Sequence, residues 1–188
     1  MILAGGRGER YGGPKAFAEL PDGRTFLAAC CDLLAGADCD PIVATLPPGR
    51  TAAHGGGVVA VTLPEPGLTM FDSLRIALNA ALCRREWEVA VILPVDHPLV
   101  RSATVRMLAA ADARAAIAVH AGKHGHPVAI AREVAERVAG GELAGPTLRD
   151  VMRLCGATAV VVDDPGVHAN CNTPEALAAA WREVSSGA

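Results

Sequence analysis

The first fifteen residues carry the densest chemistry in the chain. A short apolar run, Met1-Ile2-Leu3-Ala4, breaks into Gly5-Gly6-Arg7-Gly8-Glu9-Arg10-Tyr11-Gly12-Gly13-Pro14-Lys15. Glycine permits positive φ and lets a ligand come close to the backbone. Successive exposed N–H groups form a nest for anions. Arg7, Arg10 and Lys15 add full positive charges beside it. These residue types make a cradle for a polyphosphate; the competing reading is a surface loop with solvated charges. Two better-known phosphate loops are excluded by spacing. After Gly6-Arg7-Gly8 the last glycine of a dinucleotide fingerprint would fall one residue before Gly12, and Gly13-Pro14 breaks any helix. A P-loop fails because Pro14 intervenes before Lys15, and Ala16 lacks the hydroxyl that would meet magnesium.

The second candidate is Asp96. The run Val89-Ala90-Val91-Ile92-Leu93 is apolar at every position, as expected of a central parallel strand buried on both faces. It leads into Pro94-Val95-Asp96-His97-Pro98. Open α/β sheets bind ligands just beyond the carboxyl ends of such strands. A carboxylate oxygen there suits Mg²⁺, which takes one or two protein ligands plus phosphate oxygens and water. Asp96 is therefore the expected metal ligand, against the plainer reading of a turn aspartate.

Other polar residues have two readings each. Asp72 or Ser73 stands at the expected N-cap of a helix whose apolar residues Leu74, Ala77, Leu78, Ala81 and Leu82 are helically spaced. His120, His124 and His126 cluster as a metal site would. No carboxylate or cysteine accompanies them, so a loop of solvated histidines is favoured. Asn170 and Asn172 share one face if the segment is extended. The simpler reading is an elaborate cap, because Thr173, Pro174 and Glu175 announce a final helix. His54-Gly55-Gly56-Gly57 has the look of an esterase oxyanion loop, yet the chain holds no Gly-x-Ser-x-Gly elbow, which leaves an ordinary loop.

The elements that must position these groups alternate along the chain. Thr25 caps a helix from Phe26 to about Leu34, ended by Gly36. Ile42 to Leu46 and Val58 to Leu63 read as strands. Ser102 or Thr104 caps a helix to about Arg114, and Ala116 to Ala121 is a strand. Glu133 to Val138 is helical until Gly140-Gly141. Pro146 to Leu154 fits a helix with proline near its first position, and Thr158 to Val162 is a last strand. The alternation, without repeats or linkers, predicts one α/β domain over residues 1–188, in three layers around a mostly parallel sheet.

Composition narrows the function. About half of the 188 residues are apolar and aromatics are few, which suits tight helix-on-sheet layers. The net charge of −3 provides no global field for nucleic acid. No run reaches about 18 apolar residues, so no membrane span is expected, and no signal peptide is seen. Six cysteines without a Cys-x-x-Cys pair suit reduced thiols in the cytoplasm.

The order Leu-Ala-Gly-Gly-x-x-x-Arg-x-Gly-x-x-Lys resembles the signature loop of MobA-like nucleotidyltransferases, which attach CMP or GMP to the molybdenum cofactor. Ser73-Leu74, Asp96 in Pro-x-Asp-x-Pro, Gly125-His126-Pro127-Val128 and Asn170-Cys171-Asn172-Thr173-Pro174-Glu175 follow in the family's order across nearly the whole chain. Two departures stand out. Gly8 occupies a position where the family often has serine, and only Met1, Ile2 and Leu3 precede the loop, where the family usually has a longer first strand.

The resemblance implies a Rossmann-like nucleotide-diphospho-sugar transferase fold with a mixed sheet. It implies that Leu3, Ala4, Gly5, Gly6, Arg7, Gly8, Arg10 and Lys15 bind nucleotide, with Arg10 and Lys15 catalytic beside Asp96. Ser73 would lie near the base, and His126 would face the acceptor or shape its turn. Asp96, Asn172 and, second, Asn170 would hold Mg²⁺. The donor would be CTP or GTP: Gly5 resembles the guanylyl branch, Ser73-Leu74 and the Gly-His-Pro-Val segment the cytidylyl branch, which tilts the reading to CTP. The acceptor would be a small phosphate-bearing molecule, first the molybdenum cofactor, with a sugar phosphate as the alternative. No nucleic-acid or membrane partner is implied. A non-catalytic nucleotide-binding module is the reading from another class.

Overall fold

The structure is a computed structural model that describes residues 1–6, 8, 11–51, 57–84, 86–143 and 147–186. Among these residues seven strands form one sheet: β1 (Ile2–Leu3), β2 (Ile42–Leu46), β3 (Val58–Thr62), β4 (Val89–Pro94), β5 (Ala115–His120), β6 (Lys123–Ala131) and β7 (Thr158–Val161). Their order is β3-β2-β1-β4-β6-β5-β7. Among the described residues six α-helices accompany them: α1 (Phe26–Ala35), α2 (Met70–Leu82), α3 (Ser102–Ala109), α4 (Arg132–Ala139), α5 (Leu148–Leu154) and α6 (Pro174–Ser186).

Alternation of side chains sets the three layers. Ile2, Ala44, Leu46, Val91 and Leu93 face one buried cluster with α1 and α3, and Leu177 of α6 joins it. Met1, Leu3, Val43, Ala90 and Ile92 face the other, with α2 and α4. The strand β1 is two residues long yet central. It pairs in parallel with β2 and β4, with Ile2 opposite Ala44 on one side and Leu93 on the other. From β1 the chain steps outward to β2 and β3, then returns to β4 on the opposite side of β1. That reversal opens a crevice at the carboxyl ends of β1 and β4, the position where such sheets take ligands.

Among the described strands only β6 runs against its neighbours. A two-residue turn, Ala121 and Gly122 with φ of 48° and 74°, joins it to β5, the geometry that matches strand twist in tight hairpins. The register then slips: between the pairs Ile117–Val128 and Val119–His124, β5 advances two residues and β6 four. Gly125, His126 and Pro127 fall at that irregularity, so His124 and His126, expected in a loop, instead lie on an interior strand paired with β4 and β5.

Two expected caps are corrected. Thr69, not Asp72 or Ser73, caps α2: its hydroxyl accepts from the Asp72 amide (3.1 Å), and the Asp72 carboxylate accepts from the Thr69 amide (3.0 Å). Neither Ser102 nor Thr104 caps α3, and the helix ends at Ala109 rather than Arg114. Their hydroxyls are drawn into tertiary bonds, Ser102 to the Leu33 carbonyl (2.9 Å) and Thr104 to the Asp164 carboxylate (2.6 Å). Helix α5 is capped by Thr147, whose hydroxyl accepts from the Asp150 amide. The Pro146 expected near its first position, and the His54-Gly55-Gly56 part of the loop after β2, lie outside the described residues. Among the described residues no helix is long and apolar enough to cross a membrane.

Candidate nucleotide site

The glycine loop leaves β1 into the crevice. The Ala4 amide donates to Thr45 Oγ1 on β2 (3.2 Å), which anchors the loop's first step to the sheet. At Gly5 an added Cβ would lie 2.2 Å from Leu63 Cδ1 and 3.4 Å from Ser73 Oγ. Gly8 has φ of +62°, and a Cβ there would meet the Gly13 carbonyl oxygen at 1.9 Å. Its own carbonyl accepts from the amides of Tyr11 (2.8 Å) and Gly13 (3.2 Å). The loop therefore closes into a ring on Gly8. A serine has no room at this position, which accounts for the departure from the family pattern. Arg7 and Arg10 lie outside the described residues.

The ring delivers Lys15 to the start of a 3-10 turn, Lys15–Phe17. Its side chain is nearly buried, and its ammonium donates to Asn172 Oδ1 at 2.5 Å and lies 3.7 Å from Asp96 Oδ2. Asp96 stands in the turn two residues past the end of β4, and its carbonyl accepts from the Cys171 amide (2.8 Å). That bond ties the segment before α6 to the end of β4 and brings Asn172 beside Asp96.

A cleft of about 410 Å³ joins these parts. It is lined by Leu3, Ala4, Gly5, Gly6, Gly8 and Lys15 on the loop, Asp96 and Asn172 opposite, and Leu68, Met70 and Ser73 at the other end. Ser73 is buried on the first turn of α2, and its hydroxyl donates to the Thr69 carbonyl (3.1 Å). Its oxygen keeps accepting capacity toward the cleft. Tyr11, Leu68 and Met70 were missed by sequence reasoning. Tyr11 packs edge-on against Phe26 (5.6 Å between ring centres), and burial pushes its phenol pKa up. Being the single tyrosine of the chain, inside a glycine-rich basic loop, was its available signal.

Two expected site residues stand elsewhere. Asn170 is exposed and does not line the cleft. The segment folds through short turns, Asn170 N–H to the His168 carbonyl (2.8 Å) and Asn172 N–H to the Asn170 carbonyl (2.9 Å), so the shared face of an extended segment is lost. His126 also does not line the cleft. It packs against buried His97, their ring centres 4.8 Å apart. Burial, then the neighbouring His126, pushes the His97 pKa down to about 4 while Asp96 opposes. Burial also lowers that of His126. Burial thus favours the neutral form of both rings. The three loop histidines diverge: His120 points to the Val162 carbonyl (3.1 Å) and His124 is exposed. Among the described residues no cluster of three His, Cys, Asp or Glu could hold a metal.

The chain that carries this loop and crevice is similar to known proteins. A family model described as the MobA-like NTP transferase domain matches residues 1–161. The chain belongs to the MobA-like NTP transferase family. None of the curated proteins compared with this MobA-like chain matches it. Solved structures do. Rv0371c from Mycobacterium tuberculosis is 26% identical, with a TM-score of 0.74 over 98% of this chain and 96% of that one. The same protein in complex with manganese is 25% identical, with a TM-score of 0.71 over 100% and 97%. The 2-C-methyl-D-erythritol 4-phosphate cytidylyltransferase of Thermus thermophilus shares the fold at 21% identity and a TM-score of 0.69, over 98% and 97%.

In this MobA-like site, Asp96 Oδ2 and Asn172 Oδ1 converge on one cationic centre, the Lys15 ammonium. Two hard oxygens within reach of a single positive charge fit a divalent cation of the magnesium or manganese type.

Proposed function

We propose that the protein is a Mg²⁺-dependent nucleotidyltransferase, one domain over residues 1–188, that moves a nucleoside monophosphate from CTP or GTP to a small phosphate-bearing acceptor and releases pyrophosphate. The molybdenum cofactor is the first acceptor to test, and CTP the first donor. The observation that carries the reading is the Lys15 ammonium held between Asn172 Oδ1 and Asp96 Oδ2 at the end of the glycine ring.

The reaction needs no protein nucleophile. The acceptor phosphate is already anionic and attacks the α-phosphorus in line; the bond to the bridging oxygen breaks, and that electron pair leaves with pyrophosphate. The chain's work is positioning and charge neutralisation. Gly5, Gly6 and Gly8 present backbone to the phosphates. Lys15, with Arg7 and Arg10 from the same loop, offsets charge that builds on the leaving group. Asp96 and Asn172 would hold the cation; it would supply charge neutralisation at the phosphate oxygens. Ser73 and Met70 border the end where the base would lie, and His126, packed on His97, would shape the acceptor side. The cysteines are all free thiols, which supports a reducing, cytoplasmic setting.

The test is pyrophosphate release with each of the four nucleoside triphosphates, Mg²⁺ and molybdenum cofactor. Turnover with CTP or GTP that collapses in Asp96→Ala supports the reading. Mg²⁺-dependent nucleotide binding without turnover redirects the search to sugar phosphates and other acceptors. Neither binding nor turnover overturns it.

A further inference from the structure

Asp96 and Asn172 come from segments far apart in sequence, and one hydrogen bond, Cys171 N–H to the Asp96 carbonyl, joins them at the site. Two glycines in these segments allow close backbone packing. A Cβ on Gly166 would lie 2.3 Å from the Leu99 carbonyl oxygen, and one on Gly125 would lie 2.5 Å from the Val167 carbonyl oxygen. Gly166 and Val167 belong to a 3-10 turn, Pro165–His168, that leads to Asn170 and Asn172. Leu99 lies on the segment that leads from Asp96 to α3.

At the centre of this junction is the carboxylate of Asp164. Asp164 is 1% exposed. One of its oxygens accepts from the Arg101 amide (2.8 Å) and the Thr104 hydroxyl (2.6 Å), at the start of α3. The other accepts from the Gly166 amide (2.9 Å), in its own turn. The two oxygens are thus divided between the segment that follows Asp96 and the segment that precedes Asn172. Helix α3 has no side-chain cap of its own, and the carboxylate sits at its amino end, where negative charge is favoured. A buried donor that loses its acceptor carries a full desolvation penalty, so the three donors hold the carboxylate to one place.

We propose that Asp164 is a positioning residue for the Asp96–Asn172 pair: it clamps the turn before Asn172 to the segment after Asp96 and so sets the distance between the two oxygen donors. That these donors bind a cation rests on the functional reading above; the clamp does not.

The experiment uses the full chain with Asp164→Asn and, as a milder lesion, Thr104→Val, with Thr104→Ser as the rescue. Hydrogen exchange is read at the Cys171 amide and, as an internal reference, at the Leu93 amide, which bonds the Met1 carbonyl in the central sheet (2.9 Å). Local opening and global unfolding separate in this readout. The expected result in Asp164→Asn is exchange at Cys171 faster by about tenfold or more, with Leu93 unchanged, an intermediate effect in Thr104→Val and wild-type behaviour in Thr104→Ser. Mn²⁺ titrated into the same proteins and followed by its electron paramagnetic resonance signal should bind several-fold more weakly in Asp164→Asn. Equal acceleration at Cys171 and Leu93, or unchanged exchange at Cys171, overturns the clamp. A clamp supported by exchange in a wild-type protein that binds no Mn²⁺ leaves Asp164 in its role and removes the metal reading instead.

Discussion

Lys15 and Asn172 stand 157 positions apart and meet in a hydrogen bond of 2.5 Å, ammonium to side-chain carbonyl. The bond closes the cleft between the loop that opens the chain and the segment that enters its last helix. It also explains why a lysine can be nearly buried here: its charge faces Asp96 at 3.7 Å and its protons have an oxygen partner. Replacing Lys15 with methionine keeps the stem and removes the charge. Turnover should fall by roughly 30- to 1000-fold, the effect of losing one preorganised contact to developing charge. Lys15→Arg should not restore it, since a planar fork does not fit a point-charge site. Steady-state rates at saturating nucleotide check both.

Gly8→Ser would install the residue that the family often carries. Here it should damage the loop, because the position has φ of +62° and the Gly13 carbonyl oxygen would lie 1.9 Å from the new Cβ. The strain is local, so the melting temperature should move little while nucleotide affinity drops. Calorimetric titration with CTP and GTP against thermal melting separates the two, and wild-type affinity in this variant would refute the ring geometry.

The α2 cap and the cleft end share a turn. Thr69→Ala removes one half of the reciprocal pair with Asp72 and should cost about 1 kcal/mol, a fall of roughly 2–4 °C in a chain of this size. Because Met70 and Ser73 line the cleft from that turn, the nucleotide KM should rise as well. Ser73→Ala, which deletes only a hydroxyl that donates to the Thr69 carbonyl, should leave the melting temperature near wild type and raise KM for the preferred nucleotide. Paired melts and KM values decide whether Ser73 serves the helix or the ligand.

Chelation addresses the oxygen pair. With EDTA, turnover should vanish and return on adding Mg²⁺ or Mn²⁺. Asp96→Asn keeps the shape and loses the charge, so half-maximal activation should need several-fold more metal than in wild type. An enzyme that is equally active in EDTA would exclude Asp96 and Asn172 as a cation site.

Local chemistry was legible in the sequence because its causes are local. The run Val89–Leu93 is apolar throughout since β4 is covered on both faces. Thr25 and Thr173 cap helices α1 and α6 because a hydroxyl reaches an amide three residues on in any context, 3.1 Å to Ala28 and 3.2 Å to Ala176. The cap of α2 was misplaced by a few residues because Thr69, Asp72 and Ser73 all have the right chemistry, and only the backbone at Thr69, extended at φ −68° and ψ 163°, separates them. Ser102 and Thr104 were misread for another reason: a hydroxyl that finds a better partner across the core, in Leu33 or Asp164, abandons the local one.

By itself, then, the sequence determined a glycine-rich basic loop, the central strand with its aspartate, and the alternation of strands and helices, each a product of backbone freedom or side-chain periodicity within a dozen residues. The tertiary structure alone decided that β6 runs against the sheet, that its bulge hands His126 to His97 instead of the cleft, that Asn172 enters the site while Asn170 faces solvent, and that Asp164 ties the two sides together. These depend on which distant segments lie side by side, and that is settled by the burial of two apolar faces of one sheet, a sum over the whole chain that no short stretch contains.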